Sequence, residues 1–196
     1  MTFLIGLTGS IGMGKSTTAD MFRAEGIPVW DADATVHRLY DAGGAAVAPL
    51  AAILPDAIVD GAVSRPALNT ILLQDPTAME KIERIVHPLV AADRLAFVAD
   101  QGGGIIVLDV PLLFETGLNG AVDMVVVVTA PSDVQRARVL SRPDMTPQRL
   151  NTILSRQLSD GEKRRRADHI IETLTLDDTR AAVRKLLSGL RKNNHA

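Results

Sequence analysis

The sequence contains no cysteine, which excludes disulfide scaffolds, thiolate metal sites and cysteine nucleophiles and fits a reducing cytoplasm. Aromatic residues are scarce, with one Trp, one Tyr and four Phe. Because 46% of the chain is nevertheless hydrophobic, the interior must be aliphatic, as in parallel strands covered by helices. Neither sign of charge dominates: 21 Lys and Arg face 23 Asp and Glu, for a net charge of −2. That balance gives no general attraction to nucleic acid or to an acidic membrane, so an anionic ligand needs a local site. No apolar run reaches the ~18 residues that span a bilayer, and the opening Met-Thr-Phe-Leu-Ile-Gly has neither a basic region nor a cleavable apolar segment. A soluble, unprocessed chain is expected. At 196 residues it is too short for two independent domains of ordinary size.

What is present is a series of short apolar runs. Phe3 to Thr8 ends at Gly9, and a helical pattern then runs from Lys15 to Gly26, which can cap it. Ile27 to Trp30 ends in Asp31-Ala32-Asp33; Ile105 to Val110 closes at Pro111, Val122 to Val128 at Ala130-Pro131, and Asp168 to Glu172 is a short last strand. Ala34 to Gln101 shows helical segments with breaks at Gly43-Gly44, Asp60-Gly61 and His87-Pro88, and reads as a helical insertion. Ser132 is placed to cap a helix running to about Arg142, and Thr146-Pro147 to start another. Thr175 with Asp178 resembles a capping box for a helix with Val183, Leu186, Leu187 and Leu190 on one face. All five strands are assigned to one parallel sheet of an α/β fold.

The segment Gly9-Ser10-Ile11-Gly12-Met13-Gly14-Lys15-Ser16 fits Gly, four residues, Gly, Lys, Ser or Thr. Its glycines let the backbone bend around a phosphate with the N–H groups inward, and the following helix points its partly positive end at the same place. Lys15 can reach the β- and γ-phosphates, the Ser16 hydroxyl can ligate Mg²⁺, and Thr17 is a further candidate contact. The plain alternative is a glycine-rich turn joining strand to helix. The segment follows the first apolar run and opens a helix, the context the motif requires.

A phosphate loop serves kinases, switches and motors alike. Asp33, just past the second strand, lies at the sheet edge where ligands of open α/β folds collect, and could accept the proton of an attacking hydroxyl. Asp31 and Asp33 equally suit capping of the next helix. Asp109 ends the third strand, where a carboxylate can support Mg²⁺ through water.

Ile5-Gly6-Leu7-Thr8-Gly9 entering the loop, Asp31-Ala32-Asp33, and Asp109-Val110-Pro111-Leu112-Leu113-Phe114-Glu115 together resemble the dephospho-coenzyme A kinase family. The likeness continues through Asp60-Gly61, Arg65, Leu68, His87-Pro88, Gln135, Arg138, Arg142, Gln157, Glu162-Lys163 and Ala167-Asp168, in the family's order. The resemblance implies ATP-dependent phosphorylation of the ribose 3′-hydroxyl of dephospho-coenzyme A, with Mg²⁺. A cytoplasmic location is expected, and the sequence does not fix the oligomeric state, for which a monomer is the first expectation. It implies a nucleotide core of residues 1–33, 103–135 and 165–196, a helical substrate domain of residues 34–102, and a lid of residues 136–164. On this reading Asp33 is the general base, Lys15, Arg138 and Arg142 neutralise the transferring phosphoryl group, and Thr8, Asp33, His87, Pro88, Arg94 and Leu113 face the acceptor. Two positions depart from the family pattern: Ile153 stands where an Arg often precedes the Gln, and Glu172-Thr173-Leu174 lacks the small Asn or Gly expected near adenine.

Rival readings are another small-molecule kinase of the same fold, such as a nucleoside monophosphate kinase, and a GTP-dependent switch. Against the switch, the sequence has no Asn-Lys pair to read guanine. The run Lys163-Arg164-Arg165-Arg166 has acidic residues beside it and no aromatic neighbour, so it reads as a solvated helix face or a lid hinge. His37, His169 and His195 lack metal-ligand spacing and are given no function.

Overall fold

The computed structural model describes residues 2–193. In chain order the elements are β1 (Thr2–Thr8), α1 (Lys15–Ala24), β2 (Val29–Asp31), α2 (Ala32–Tyr40), α3 (Val47–Ile53), β3 (Ile58–Val59), β4 (Ala62–Val63), α4 (Arg65–Gln74) and α5 (Ala78–Asp100). There follow β5 (Gly104–Asp109), β6 (Met124–Thr129), α6 (Ser132–Leu140), α7 (Pro147–Leu154), α8 (Asp160–Arg165), β7 (His169–Glu172) and α9 (Leu176–Asn193). His195 lies outside the described residues. The chain forms two compact units, one running through Trp30 and again from Gly103, the other spanning Asp31–Gly102.

The first unit is built on a five-stranded sheet in the order β2-β5-β1-β6-β7. β1 pairs in parallel with β5, Leu7 opposite Asp109, and with β6, Thr8 opposite Val127; β6 pairs in parallel with β7. Ile5, Leu7, Val107, Val126, Val128 and Ile171 are buried on this sheet, beneath Ala19 and Phe22 of α1 and Val183 and Leu187 of α9. The core is aliphatic, as the shortage of aromatics requires. The register brings Asp109 out at the sheet edge where β1 enters the glycine-rich loop.

α6 ends at Leu140 with Ser141 as its C-cap, close to the expected end at about Arg142, because Arg142 precedes Pro143, whose ring disfavours helical backbone at the residue before it. The start of α6 differs from the sequence pattern. Ser132 is the first residue of α6 and supplies no side-chain cap, since Pro131, extended at ψ 147°, already occupies the N-cap. Thr146 caps α7 through the Arg149 N–H as expected.

The second unit has its own core of Leu39, Leu50, Leu68, Ile82 and Val86. The expected turn at Asp60-Gly61 joins the short antiparallel pair β3 and β4. His87-Pro88 does not break the chain: it lies inside the 23-residue α5. Proline removes only the hydrogen bond to the Arg84 carbonyl, and Arg84 and Pro88 share an exposed face where water can replace it. Burial of Ala78, Ile82 and Val86 then holds the helix through the gap.

Candidate active site

The loop between β1 and α1 turns at glycines, with φ 77° at Gly12 and 86° at Gly14. Gly14 caps α1 with φ 86°, and a Cβ there would lie 2.8 Å from the Thr173 Oγ1, so both backbone conformation and space demand glycine. At Gly9 a Cβ would come within 2.8 Å of the Val128 carbonyl oxygen. The loop is tied from several sides. The Thr173 hydroxyl donates to the Met13 carbonyl at 2.8 Å, the Ile11 N–H donates to Gln157 Oε1 at 3.2 Å, and Gln135 Nε2 donates to the Ile11 carbonyl at 2.8 Å.

Lys15 opens α1 and sets its Nζ 2.5 Å from Asp109 Oδ1, with only 15% and 2% of the two side chains exposed. Such a covered pair is poorly screened, so each charge fixes the position of the other. Ser16 and Thr17 are exposed on the first turn of α1, while Thr18 is buried and bonds back to the Gly14 carbonyl. Among the described residues no cluster of three or more His, Cys, Asp or Glu could form a metal cage. A hydroxyl and one buried carboxylate are all-oxygen donors, and they fit Mg²⁺ that arrives on phosphate oxygens and keeps several waters.

A cleft of ≈ 330 Å³ lies beside the loop, lined by Gly12, Gly14 and Thr17, by Arg138 and Arg142, and by Thr173 to Leu176 with Thr179. Both arginines thus reach one cleft, although Arg142 stands beyond the end of α6. Arg138 donates to the Thr173 carbonyl at 2.5 Å and to its hydroxyl at 3.1 Å. Thr173, read from sequence only as a departure near adenine, is the point where β7, α6 and the loop meet. Leu174 and Leu176 are 50% and 62% exposed, giving the far wall apolar surface.

Thr8 and Leu113, expected on the acceptor side, are fully buried. The Thr8 hydroxyl donates to the Pro111 carbonyl at 3.0 Å, and Leu113 fills the space above Gly6, so both shape the loop after β5. Of the basic run read as a solvated helix face or a lid hinge, Lys163 alone departs from the solvated face. It is fully buried, with Nζ 3.1 Å from both the Pro111 carbonyl and Glu115 Oε1. Only Arg164, Arg165 and Arg166 face solvent. Glu115 Oε1 also accepts from the Leu158 N–H at 2.8 Å, and the Thr129 hydroxyl donates to Asp160 at 2.9 Å. α8 is therefore fixed to the sheet edge. The pairing of Glu162-Lys163 with Glu115 in the matched motifs was the available signal, but a run of four basic residues looks solvent-facing by composition.

In the second unit, Asp31 is the N-cap of α2, with Oδ1 accepting from the Ala34 N–H at 2.9 Å. Asp33 sits in the first turn of α2 with its side chain exposed. α2 is pinned to α5 by the Thr35 hydroxyl, 3.0 Å from Asp93 Oδ1, and by Arg38, which reaches the same carboxylate at 3.0 Å. That tie lies two residues from Asp33 and one from Arg94. His87 and Pro88 are exposed on α5. Burial lowers the affinity of the Arg94 guanidinium for its proton.

A glycine-bent loop between strand and helix, a lysine opening that helix against a buried aspartate, and a cleft carrying two arginines are the marks of a P-loop kinase. The dephospho-CoA kinase family model matches residues 3–178. A dephospho-CoA kinase of Cereibacter sphaeroides is 55% identical over 194 residues, covering 99% of this chain and 98% of that protein, and one of Ruegeria pomeroyi is 54% identical over 194 residues with the same coverage. The solved structure of a Thermus thermophilus protein superposes with a TM-score of 0.86 at 30% identity, covering 96% of this chain and 97% of that one. The chain belongs to the dephospho-CoA kinase family.

Proposed function

We propose that the chain transfers the γ-phosphoryl group of ATP to the ribose 3′-hydroxyl of dephospho-coenzyme A, with Asp33 as the base and Lys15 as the group that follows the moving charge. The observation that carries this reading is the Lys15–Asp109 pair at the mouth of a tied phosphate loop, in a chain matched by its family model over residues 3–178. Phosphoryl transfer is loose, with charge spread over the equatorial oxygens, so positioning and electrostatics supply nearly all of the catalysis. Backbone N–H groups of the loop and the N-terminus of α1 hold the triphosphate. Lys15 is held by Asp109 and does not have to be recruited from solvent. Arg138 and Arg142 approach from the cleft.

Mg²⁺ carried on the nucleotide would be held by Ser16 and, through water, by Asp109, and would offset charge on the phosphate oxygens. On the acceptor side Asp33 accepts the hydroxyl proton late in the transfer, while Arg94, His87 and Pro88 form a surface for the acceptor. Residues 136–156 act as the moving lid and α8 as its fixed base. A coupled ADP-release assay tests the reading. ADP should form with dephospho-coenzyme A and not with AMP or without acceptor; equal release with AMP would replace the acceptor assignment.

A further inference from the structure

The phosphate loop is held at one residue, on the two peptide groups that flank it, by two side chains that the transfer reaction itself does not use. The N–H of Ile11 donates to Gln157 Oε1 at 3.2 Å, and its carbonyl accepts from Gln135 Nε2 at 2.8 Å. Only the oxygen of an amide can take the first bond and only its nitrogen can give the second, so the two glutamines are oriented oppositely and their roles are not interchangeable. Gln135 is buried near the start of α6, and Gln157 is half-buried just beyond α7. Between them lie both cleft arginines and the whole of α7.

We infer that Gln135 and Gln157 are positioning residues for ATP, forming a clasp on Ile11 that sets the phosphate loop in its receptive shape. The argument rests on the phosphate-loop reading of residues 9–16. Ile11 immediately precedes Gly12, where the backbone turns at φ 77°. Fixing Ile11 on both sides decides which way the following N–H groups face. With its own N–H engaged by Gln157, Ile11 is removed from the inward set, and the cradle is made by the groups after it. The clasp therefore acts on nucleotide binding and not on the acceptor. It also attaches the lid to the loop at both ends.

The opposite orientations give a test that a general structural role would fail. Gln157→Met and Gln135→Met each remove one bond and should raise the KM for ATP roughly five- to tenfold, the effect of one neutral hydrogen bond. The KM for the acceptor should stay within about twofold of its normal value, because the lost contact serves nucleotide binding alone. Gln157→Glu keeps an acceptor for the Ile11 N–H and should recover most of the loss seen with Gln157→Met. Gln135→Glu sets a carboxylate against a carbonyl and should be worse than Gln135→Met. An added negative charge near a triphosphate would instead weaken ATP binding at both positions alike, and that result would overturn the clasp, as would Met variants with normal KM for ATP. Thermal melts accompany the kinetics; if a variant at the buried Gln135 fails to fold, the pair at Gln157 decides. Lys15→Ala is the control: if it keeps full activity the loop reading itself is at fault, whereas an inactive Lys15→Ala beside normal glutamine variants removes the clasp alone.

Discussion

The phosphate loop and helix α5 carry candidates for the two halves of the reaction, and they are built in opposite ways. In the loop, Ile11 is bonded on both sides, Met13 is tied to Thr173, and Lys15 is set against a buried Asp109. On α5, His87 and Pro88 stand in solvent, and Arg94 is half-buried. On the proposed function, the difference follows from what each would hold. A triphosphate offers the same anionic oxygens in every turnover, so its site can be finished in advance and its binding energy directed to the transition state. The acceptor is large and mixed in chemistry, and a surface of exposed side chains on a stiff helix leaves its contacts to be made on binding.

Variants should separate the two regions by which kinetic constant they move. The largest effect is expected at Asp33, in the helical unit. Asp33→Asn should lower kcat by roughly 10²- to 10⁴-fold, the range for a general base, with ATP affinity by calorimetry unchanged. More than about a tenth of normal kcat would remove Asp33 as the base. Its neighbour Asp31 caps α2 and should act differently, Asp31→Ala costing about 1 kcal/mol of stability while leaving kcat near normal. Next is Lys15→Ala, which should fold and lose at least ~10²-fold in turnover, because a side chain that follows transition-state charge contributes roughly 3 kcal/mol or more. Near-normal steady-state rates would take the loop out of the chemistry and abolish the contrast with α5.

A smaller effect is expected in the proposed lid. Arg138 is already held by Thr173, whereas Arg142 lies past the end of α6 and is exposed. Arg142→Ala should lower kcat about tenfold, the scale of one charge-assisted contact. Hydrogen exchange should show residues 141–156 protected by a non-hydrolysable ATP analogue, while residues 158–165, anchored by Glu115 and Lys163, change little. Equal protection of both stretches would mean that α8 moves with the lid.

The three central strands of the sheet, β5, β1 and β6, were legible because they are largely aliphatic runs, and such runs have few other uses in a chain of this size. The loop was legible because bending a backbone around phosphate requires glycine at set positions. Less could be read where a residue acts through tertiary contact. Pro88 looked like a break because sequence does not show that the turn losing its hydrogen bond faces water. Lys163 looked solvated because its three basic neighbours are; its burial depends on Pro111 and Glu115, distant in sequence. Thr173 looked like a mere departure from pattern, although its hydroxyl joins Met13 and Arg138. The roles of His87, Pro88 and Arg94 rest on the family resemblance, since an exposed side chain on a helix carries little local signature of its ligand.

The last test concerns the anchor of α8 and should give a change in stability rather than in chemistry. Burial pushes the Glu115 carboxyl up, but hydrogen bonds from the Leu158 N–H, its own backbone N–H and Lys163 outweigh burial and hold it below the ordinary glutamate value of 4.5. A carboxyl depressed in the folded state stabilises that state at pH values above the ordinary one, and the contribution is lost as pH falls from there through the depressed folded value. Glu115→Gln should therefore melt about 4–8 °C lower at pH 7, corresponding to roughly 2 kcal/mol for a charged hydrogen-bonded group in a chain of this size. The gap to the native sequence should close only below the ordinary glutamate value. Urea titrations from neutral pH down to about pH 3 would measure it, since protonation of Glu115 in the native protein then removes the same charge that the substitution removes. A gap that stays constant across that range would show that Glu115 acts through shape alone, and that the buried ammonium of Lys163 is held by the Pro111 carbonyl without its help.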